Sequence, residues 1–156
     1  MRDIKFIVVH CTATPPETKI ENIQRYWKEQ LKWKNPGYHY IIKRNGEIVK
    51  ITEEQNIANG VGGHNRYSIH ISYIGGVNKE GKPLDNRTDA QIHALFNKLV
   101  ALSEKYPNAT ILGHRDFSPD KDGDGLIEYN EWIKACPCFD VKEWLQNYTP
   151  DLDMAA

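Results

Sequence analysis

Cysteine is scarce in this chain, with three in 156 residues. An odd number cannot all pair internally, and Cys136 and Cys138 are too close in sequence for an easy bridge. A metal or free-thiol reading therefore replaces a disulfide framework. A dominant charge is missing too: the formal net charge is -1 and the pI about 6.6, which gives no electrostatic case for nucleic acid or anionic membrane as the main partner. No hydrophobic stretch is long enough to span a bilayer. Met1-Arg2-Asp3-Ile4 leads straight into a strand-like run instead of an apolar leader, so the expectation is synthesis in the cytoplasm without an evident signal peptide. Internal repeats, linkers and compact metal signatures such as HExxH are also lacking.

What is present suits one α/β domain over residues 1–150, followed by a polar tail at 151–156. The length can bury a real core. Ile4 to His10 is a near-continuous apolar run, as expected for a buried central strand. Pro15-Pro16 ends it, and Thr18-x-x-Glu21 reads as a capping box opening a helix with Ile20, Ile23, Tyr26 or Trp27, and Leu31 on one face. Tyr38–Lys43 and Glu47–Ile51 flank Arg44-Asn45-Gly46, a hairpin signal. Ile69–Ile74 is a further strand. Thr88-x-x-Gln91 caps a second helix carrying Ile92, Leu95, Phe96, Leu99 and Leu102, which stops near Pro107. Ala109–Leu112 reads as a short strand, and Asp140-x-x-Glu143 starts a last helix. The expected architecture is a central mixed β-sheet with helices on both faces.

Three residues could carry metal chemistry: His10 at the end of the first strand, His114 after Ile111-Leu112-Gly113, and Cys136 of Lys134-Ala135-Cys136-Pro137. Two imidazoles and a thiolate are the three protein ligands of a catalytic zinc that keeps its fourth position open, where water becomes a nucleophile near neutral pH. Read singly, each has a plain structural explanation: a strand-end histidine, a turn histidine, a small buried hydrophobe. They make a site only as a set.

Together with Val9-His10-Cys11-Thr12-Ala13-Thr14, Gly37-Tyr38-His39-Tyr40-Ile41-Ile42, Gly62-Gly63-His64-Asn65 and Ile74-Gly75-Gly76, these motifs resemble, in order and from about His10 to Asp140, the zinc-dependent N-acetylmuramoyl-L-alanine amidases. That group includes phage-type lysozyme amidases and peptidoglycan recognition proteins. The resemblance implies that His10, His114 and Cys136 hold Zn2+, that Tyr38 and Lys134 are the catalytic partners, and that His64 and Asn65 contact the substrate. It also implies peptidoglycan as the partner and action at the cell wall, reached with the help of another factor. Taken alone, Lys134 is a solvated surface lysine and Tyr38 a strand aromatic. Cys11 and Cys138 are read as structural, and His93 as a surface or satisfied histidine. Because strand side chains alternate, His39 is expected to face away from Tyr38. His70 stands where the family usually has glycine; it is either an additional substrate contact or an outward-facing strand residue, and the second is the expectation.

Two rival functions share this fold: a non-catalytic peptidoglycan-binding module and a cytosolic wall-recycling amidase. The first typically loses the cysteine ligand, and the second usually has Asp at that position; this chain keeps Cys136, Tyr38 and Lys134. One segment is foreign to a minimal amidase. Asp120 to Glu131 matches the twelve-residue EF-hand loop, with carboxylates at Asp120, Asp122, Asp124, Glu128 and Glu131, Gly125 at the sharp turn, and Leu126 at the carbonyl position. Its formal charge of -4 would drive it open unless a cation bound, so Ca2+ is the expected ligand. The alternative is a solvated acidic turn. Pro119 argues against a preceding EF-hand helix, which makes this a lone structural loop and not a sensor.

Overall fold

A computed structural model describes residues 2–149; the expected polar tail at 151–156 lies outside the described residues. The first strand, β1 (Phe6–Cys11), leads to a short helix α1 (Ile20–Arg25), which continues as a π-helical turn over Tyr26–Gln30. Then come β2 (Tyr40–Ile42), β3 (Ile48–Lys50), β4 (Ser68–Tyr73), α2 (Asp89–Lys105), β5 (Thr110–Gly113) and α3 (Val141–Asn147). The sheet order is β3-β2-β4-β1-β5, with only β2 and β3 antiparallel. The mixed sheet with helices on both faces is as expected.

The apolar run of β1 places it between two parallel partners, where both faces are covered. Ile7, Val9 and Cys11 point toward Leu95, Leu99 and Leu102 of α2 and Val141 of α3, forming the larger core cluster. The opposite face is covered by Ile23 and Trp27, which pack with Ile41 and Ile74. Parallel register aligns the carboxyl ends of β1 and β5, so that Val9 sits beside Gly113. His10 and His114 therefore emerge next to one another, at the strand ends where open α/β sheets place their ligands. Among the described residues no helix is long and apolar enough to cross a membrane.

The helix signals are met unevenly. Thr88 caps α2 as expected: its hydroxyl accepts the Gln91 N–H, and the Gln91 side chain accepts the Thr88 N–H, both at 3.0 Å. The buried Gln91 amide also donates to the carbonyls of Ile42 and Ile74, tying the helix start to the sheet. Thr18, in contrast, does not cap α1. Its N–H is held by the Pro15 carbonyl in a turn, and the cap position falls on Lys19 without a side-chain bond. Asp140 caps α3 by accepting the Glu143 N–H at 3.0 Å. The Asn45-Gly46 hairpin forms with Gly46 at φ +90°, although its strands are shorter than the sequence suggests.

Glu54 fastens the sheet to the end of α2. Its carboxylate accepts hydrogen bonds from Tyr106 at 2.6 Å and from Tyr40, and pairs with Lys105 at 2.8 Å. Burial alone would raise its pKa; the Lys105, Tyr106 and Tyr40 donors outweigh this and bring it from 4.5 down to about 2. A carboxylate whose pKa is depressed in the folded state contributes stability above its unfolded pKa and loses that contribution as pH falls through the folded value. In melting curves from pH 6 to pH 2, wild type should therefore lose stability relative to Glu54→Gln between about pH 4.5 and 2. Parallel curves across that window would remove Glu54 from the acid limb.

Candidate active site

His10 lies on the face of β1 opposite the larger core and is 1 % exposed. His114 opens a 3-10 turn, His114–Phe117, which Asp116 holds by accepting the Gly113 N–H at 2.8 Å. The two rings meet edge to face, with centroids 4.9 Å apart. Cys136 arrives from far along the chain and is held by backbone. The Arg115 N–H donates to its carbonyl at 2.8 Å, Tyr73 donates to the Pro137 carbonyl at 2.7 Å, and the Cys11 N–H points at its sulfur from 3.1 Å. Gly113 makes this approach possible, because a Cβ there would stand 2.9 Å from Pro137 Cδ. Cys136 Sγ ends 3.8 Å from His10 Nδ1.

One ligand atom from each of His10, His114 and Cys136 lies within 4.8 Å of the others. Donors around a tetrahedral zinc at about 2.0–2.3 Å would stand roughly 3.3–3.8 Å apart, so the group is arranged to hold such an ion with small adjustments. Burial, followed by the charges of neighbouring histidines and Lys134, lowers the His10 pKa; burial and then Lys134 bring His114 down to about 4. Both imidazoles are thus neutral at neutral pH, the form that binds metal.

The group forms part of the wall of a cleft of about 630 Å³, together with Trp27, Trp33, Tyr38, Asn59, Gly60 and Lys134. Tyr38 is 5.0 Å from the His10 ring between centroids and donates to the Cys11 carbonyl at 3.2 Å. Trp27 packs edge-on against Tyr38 and over Gly37, where a side chain would collide with the indole. Burial raises the Tyr38 pKa, so at neutral pH the side chain is a phenol that donates. Lys134 is exposed at the rim.

Other histidines depart from expectation. His39 does not face away from Tyr38: Tyr38 precedes β2, strand alternation does not apply to it, and both rings lie on the cleft side. His70 is not outward-facing. It is fully buried, 2.8 Å from His10 Nε2 and stacked on His39. Ser68, His70 and Ser72 alternate with Ile69, Ile71 and Tyr73 along β4, a pattern that ordinarily marks a solvent face. Here the polar face is roofed by other segments and lies buried behind the cleft lining. His64 packs between Phe6 and Phe117, and Asn65 turns inward to His70, so neither is among the residues lining the cleft.

His93 sits beside Asn97 on α2, 3.1 Å between their side-chain nitrogens. Cys11 and Cys138 are free thiols with sulfurs 3.9 Å apart, outside the His–His–Cys group. In the acidic loop, Asp120, Asp122, Asp124 and Glu131 bring ligand atoms within 4.8 Å of one another. Glu131 is buried, and its oxygens accept backbone N–H groups of Lys121, Asp122 and Glu128. Glu128 stands outside that group, and Leu126 is exposed. Hydrogen bonding and repulsion from Asp124 push Glu128 up to about 7.

Fold and site together define a single-domain α/β protein with a His–His–Cys group that could hold a metal ion in an open cleft. The N-acetylmuramoyl-L-alanine amidase family matches residues 1–125. The endolysin of Klebsiella phage KP32 is 34% identical over 140 residues, covering 88% of this chain and 83% of that protein. The endolysin of Escherichia phage T7 is 34% identical over 139 residues with the same coverage. Among solved structures, the Ph2119 endolysin from a Thermus scotoductus bacteriophage superposes with a TM-score of 0.67 at 24% identity, covering 88% of this chain and 79% of that one. The chain belongs to the N-acetylmuramoyl-L-alanine amidase family, and its activity is that of a peptidoglycan amidase.

A hydroxyl is close to a thiol in volume but is a poor ligand for a borderline-soft ion. Cys136→Ser is expected to keep the circular dichroism and, with both proteins metal-free, the melting temperature of the wild type while losing stoichiometric zinc binding. Equal zinc content in the two proteins would remove Cys136 from the ligand set.

Proposed function

We propose that the enzyme hydrolyses the amide between the lactyl group of N-acetylmuramic acid and L-alanine, with Zn2+ held by His10, His114 and Cys136. The convergence of these three ligand atoms in a cleft shared with Tyr38 and Lys134 carries the reading. Bound there, zinc supplies the Lewis acidity that activates water and polarises a carbonyl.

The protein's own groups do the rest. Neutral His10 and His114 offer lone pairs without first losing a proton. The Cys136 thiolate adds negative charge that damps Lewis acidity, which makes additional stabilisation of the oxyanion valuable. Lys134, on the rim, brings an ammonium to the charge developing on the scissile carbonyl oxygen, a contribution worth roughly 10²–10³ in rate. Tyr38 acts as a hydrogen-bond donor to that oxygen or to the attacking water, since burial keeps its proton on. The aromatic wall of Trp27 and Trp33 gives the substrate an apolar surface to lie against. The family match and the endolysin relatives support peptidoglycan as substrate. Retention of the cysteine ligand favours catalysis over a binding-only module. In this reading the enzyme acts at the cell wall, as its endolysin relatives suggest.

The same reading assigns the Asp120–Glu131 loop to a structural Ca2+, with Asp120, Asp122, Asp124 and Glu131 as side-chain ligands, Leu126 offering its carbonyl, and Glu128 completing the set once deprotonated. The loop exit is tied to the active-site turn: the Ile133 N–H donates to Ser118 Oγ, and the Ser118 N–H to the Arg115 carbonyl. Ordering the loop would therefore steady the approach of Lys134 and Cys136.

Digestion of purified peptidoglycan is expected to release free stem peptides, leave glycan strands intact, and stop with a zinc chelator. New reducing sugar ends in place of free peptides would mean glycosidase action. For the loop, calcium at a hundredfold excess over its Kd should add about 2.7 kcal/mol to zinc-loaded enzyme. That corresponds to a rise of roughly 5–10 °C in Tm for a chain of this size, absent in Asp120→Ala/Glu131→Gln. A wild-type Tm that ignores calcium reduces the loop to an acidic turn.

A further inference from the structure

His70 is neither among the residues lining the cleft nor in the His–His–Cys group, yet both of its ring nitrogens are hydrogen-bonded. Its Nδ1 lies 2.8 Å from His10 Nε2, and its Nε2 lies 2.9 Å from Asn65 Oδ1. The Asn65 oxygen is identified independently, because the Val61 backbone N–H donates to it at 2.7 Å. The direction of every bond then follows. An amide oxygen only accepts, so His70 Nε2 must carry a proton. The ring is fully buried, and its partners are an imidazole and an amide with no carboxylate among them to stabilise a second ring proton. His70 Nδ1 is then a bare lone pair and must accept from His10. His10 carries its proton on Nε2, which leaves Nδ1, the nitrogen 3.8 Å from Cys136 Sγ, as a lone pair facing the other ligands.

The surroundings hold this ring from every side. The His70 backbone N–H donates to His39 Nδ1 at 3.0 Å, and the His39 N–H returns a bond to the His70 carbonyl at 2.9 Å. The His39 ring stacks on His70 with an interplanar angle of 12°. His39 Nε2 donates to the Asn56 carbonyl at 2.8 Å. On the other side the chain passes at Gly60, where any Cβ would overlap the His70 ring. Gly60 makes room for the imidazole, and Val61 and Asn65 in the same loop anchor it.

We propose that His70 is a positioning residue that sets the tautomer of His10, through the relay Val61 N–H, Asn65 Oδ1, His70 and His10, so that Nδ1 is ready to bind metal before the ion arrives. This rests on the zinc reading of the preceding section. Hydrogen bonds to the second nitrogen of a ligand histidine fix its tautomer and orientation, and removing such a partner typically costs roughly 10–100-fold in metal affinity. Asn65, suggested by sequence as a substrate contact, becomes an anchor of this relay.

Two measurements test it. In metal-free wild type, long-range ¹H–¹⁵N correlation of labelled imidazoles should show the Nε2–H tautomer for both His10 and His70; an Nδ1–H signal from His10 overturns the relay. In chelator competition with zinc, His70→Leu should bind roughly 10–100-fold more weakly than wild type. His70→Gln, whose amide oxygen can accept the His10 proton, should recover most of that loss. Unchanged zinc affinity in a folded His70→Leu protein, beside a zinc-binding wild type, overturns the role of His70 alone. A wild type that binds no zinc overturns the metal reading, and this inference with it. Should His70→Leu fail to fold, the wild-type spectrum still decides the tautomer.

Discussion

A polar ring can be buried under a β-sheet only if its nitrogens find partners, and this requirement organises the cleft. His10, His39 and His70 are all enclosed, and leaving any one of their nitrogens unpaired would cost about 1–3 kcal/mol. The protein satisfies them in series. His39 is closed by the Asn56 carbonyl and the His70 backbone, and His70 by Asn65 and His10. The nitrogen left over at the end of this series is His10 Nδ1, beside His114 and Cys136. A lone pair aimed at His114 and Cys136 is, under the proposed relay, what remains once the other nitrogens of His39 and His70 and the Nε2 of His10 are paired.

The position of Cys136 depends on close packing. The Cys136 segment crosses the end of β5 where Gly113 has no side chain, and it is pinned by the Arg115 N–H, the Cys11 N–H and the Tyr73 hydroxyl. Tyr73 belongs to the larger core, so the cysteine position is linked to the same packing that seats α2 and α3. The acidic loop is inserted between His114 and Cys136. It joins two members of the His–His–Cys group and supplies a separate acidic cluster of its own.

Much of the fold was legible in the residues. The apolar run of β1, the Thr88–Gln91 box, the Asn45-Gly46 turn and the Asp140 cap rest on local chemistry, and local chemistry decides them. The misreadings have non-local causes. Thr18 has the side chain of a cap, but the turn from Pro15 holds it one residue too early. His39 was placed by alternation counted from Tyr38, a residue that precedes the strand. The expectation that His70 faces outward fails because strand alternation reports which residues share a face and is silent on what covers it.

By itself, then, the sequence determined the donor types available to the site, the order of its motifs, the central position of β1, and the caps and turns that begin and end its helices. These follow from side-chain chemistry, hydrophobic period and backbone preference within a few residues. Only the tertiary structure decided which donors meet. Parallel pairing of β1 with β5 brings His10 beside His114, the bare backbone of Gly113 admits Pro137 and with it Cys136, and the chain passing at Gly60 encloses His70 against His10. Such meetings depend on register and on close contact between segments up to 126 residues apart, and no local pattern encodes them.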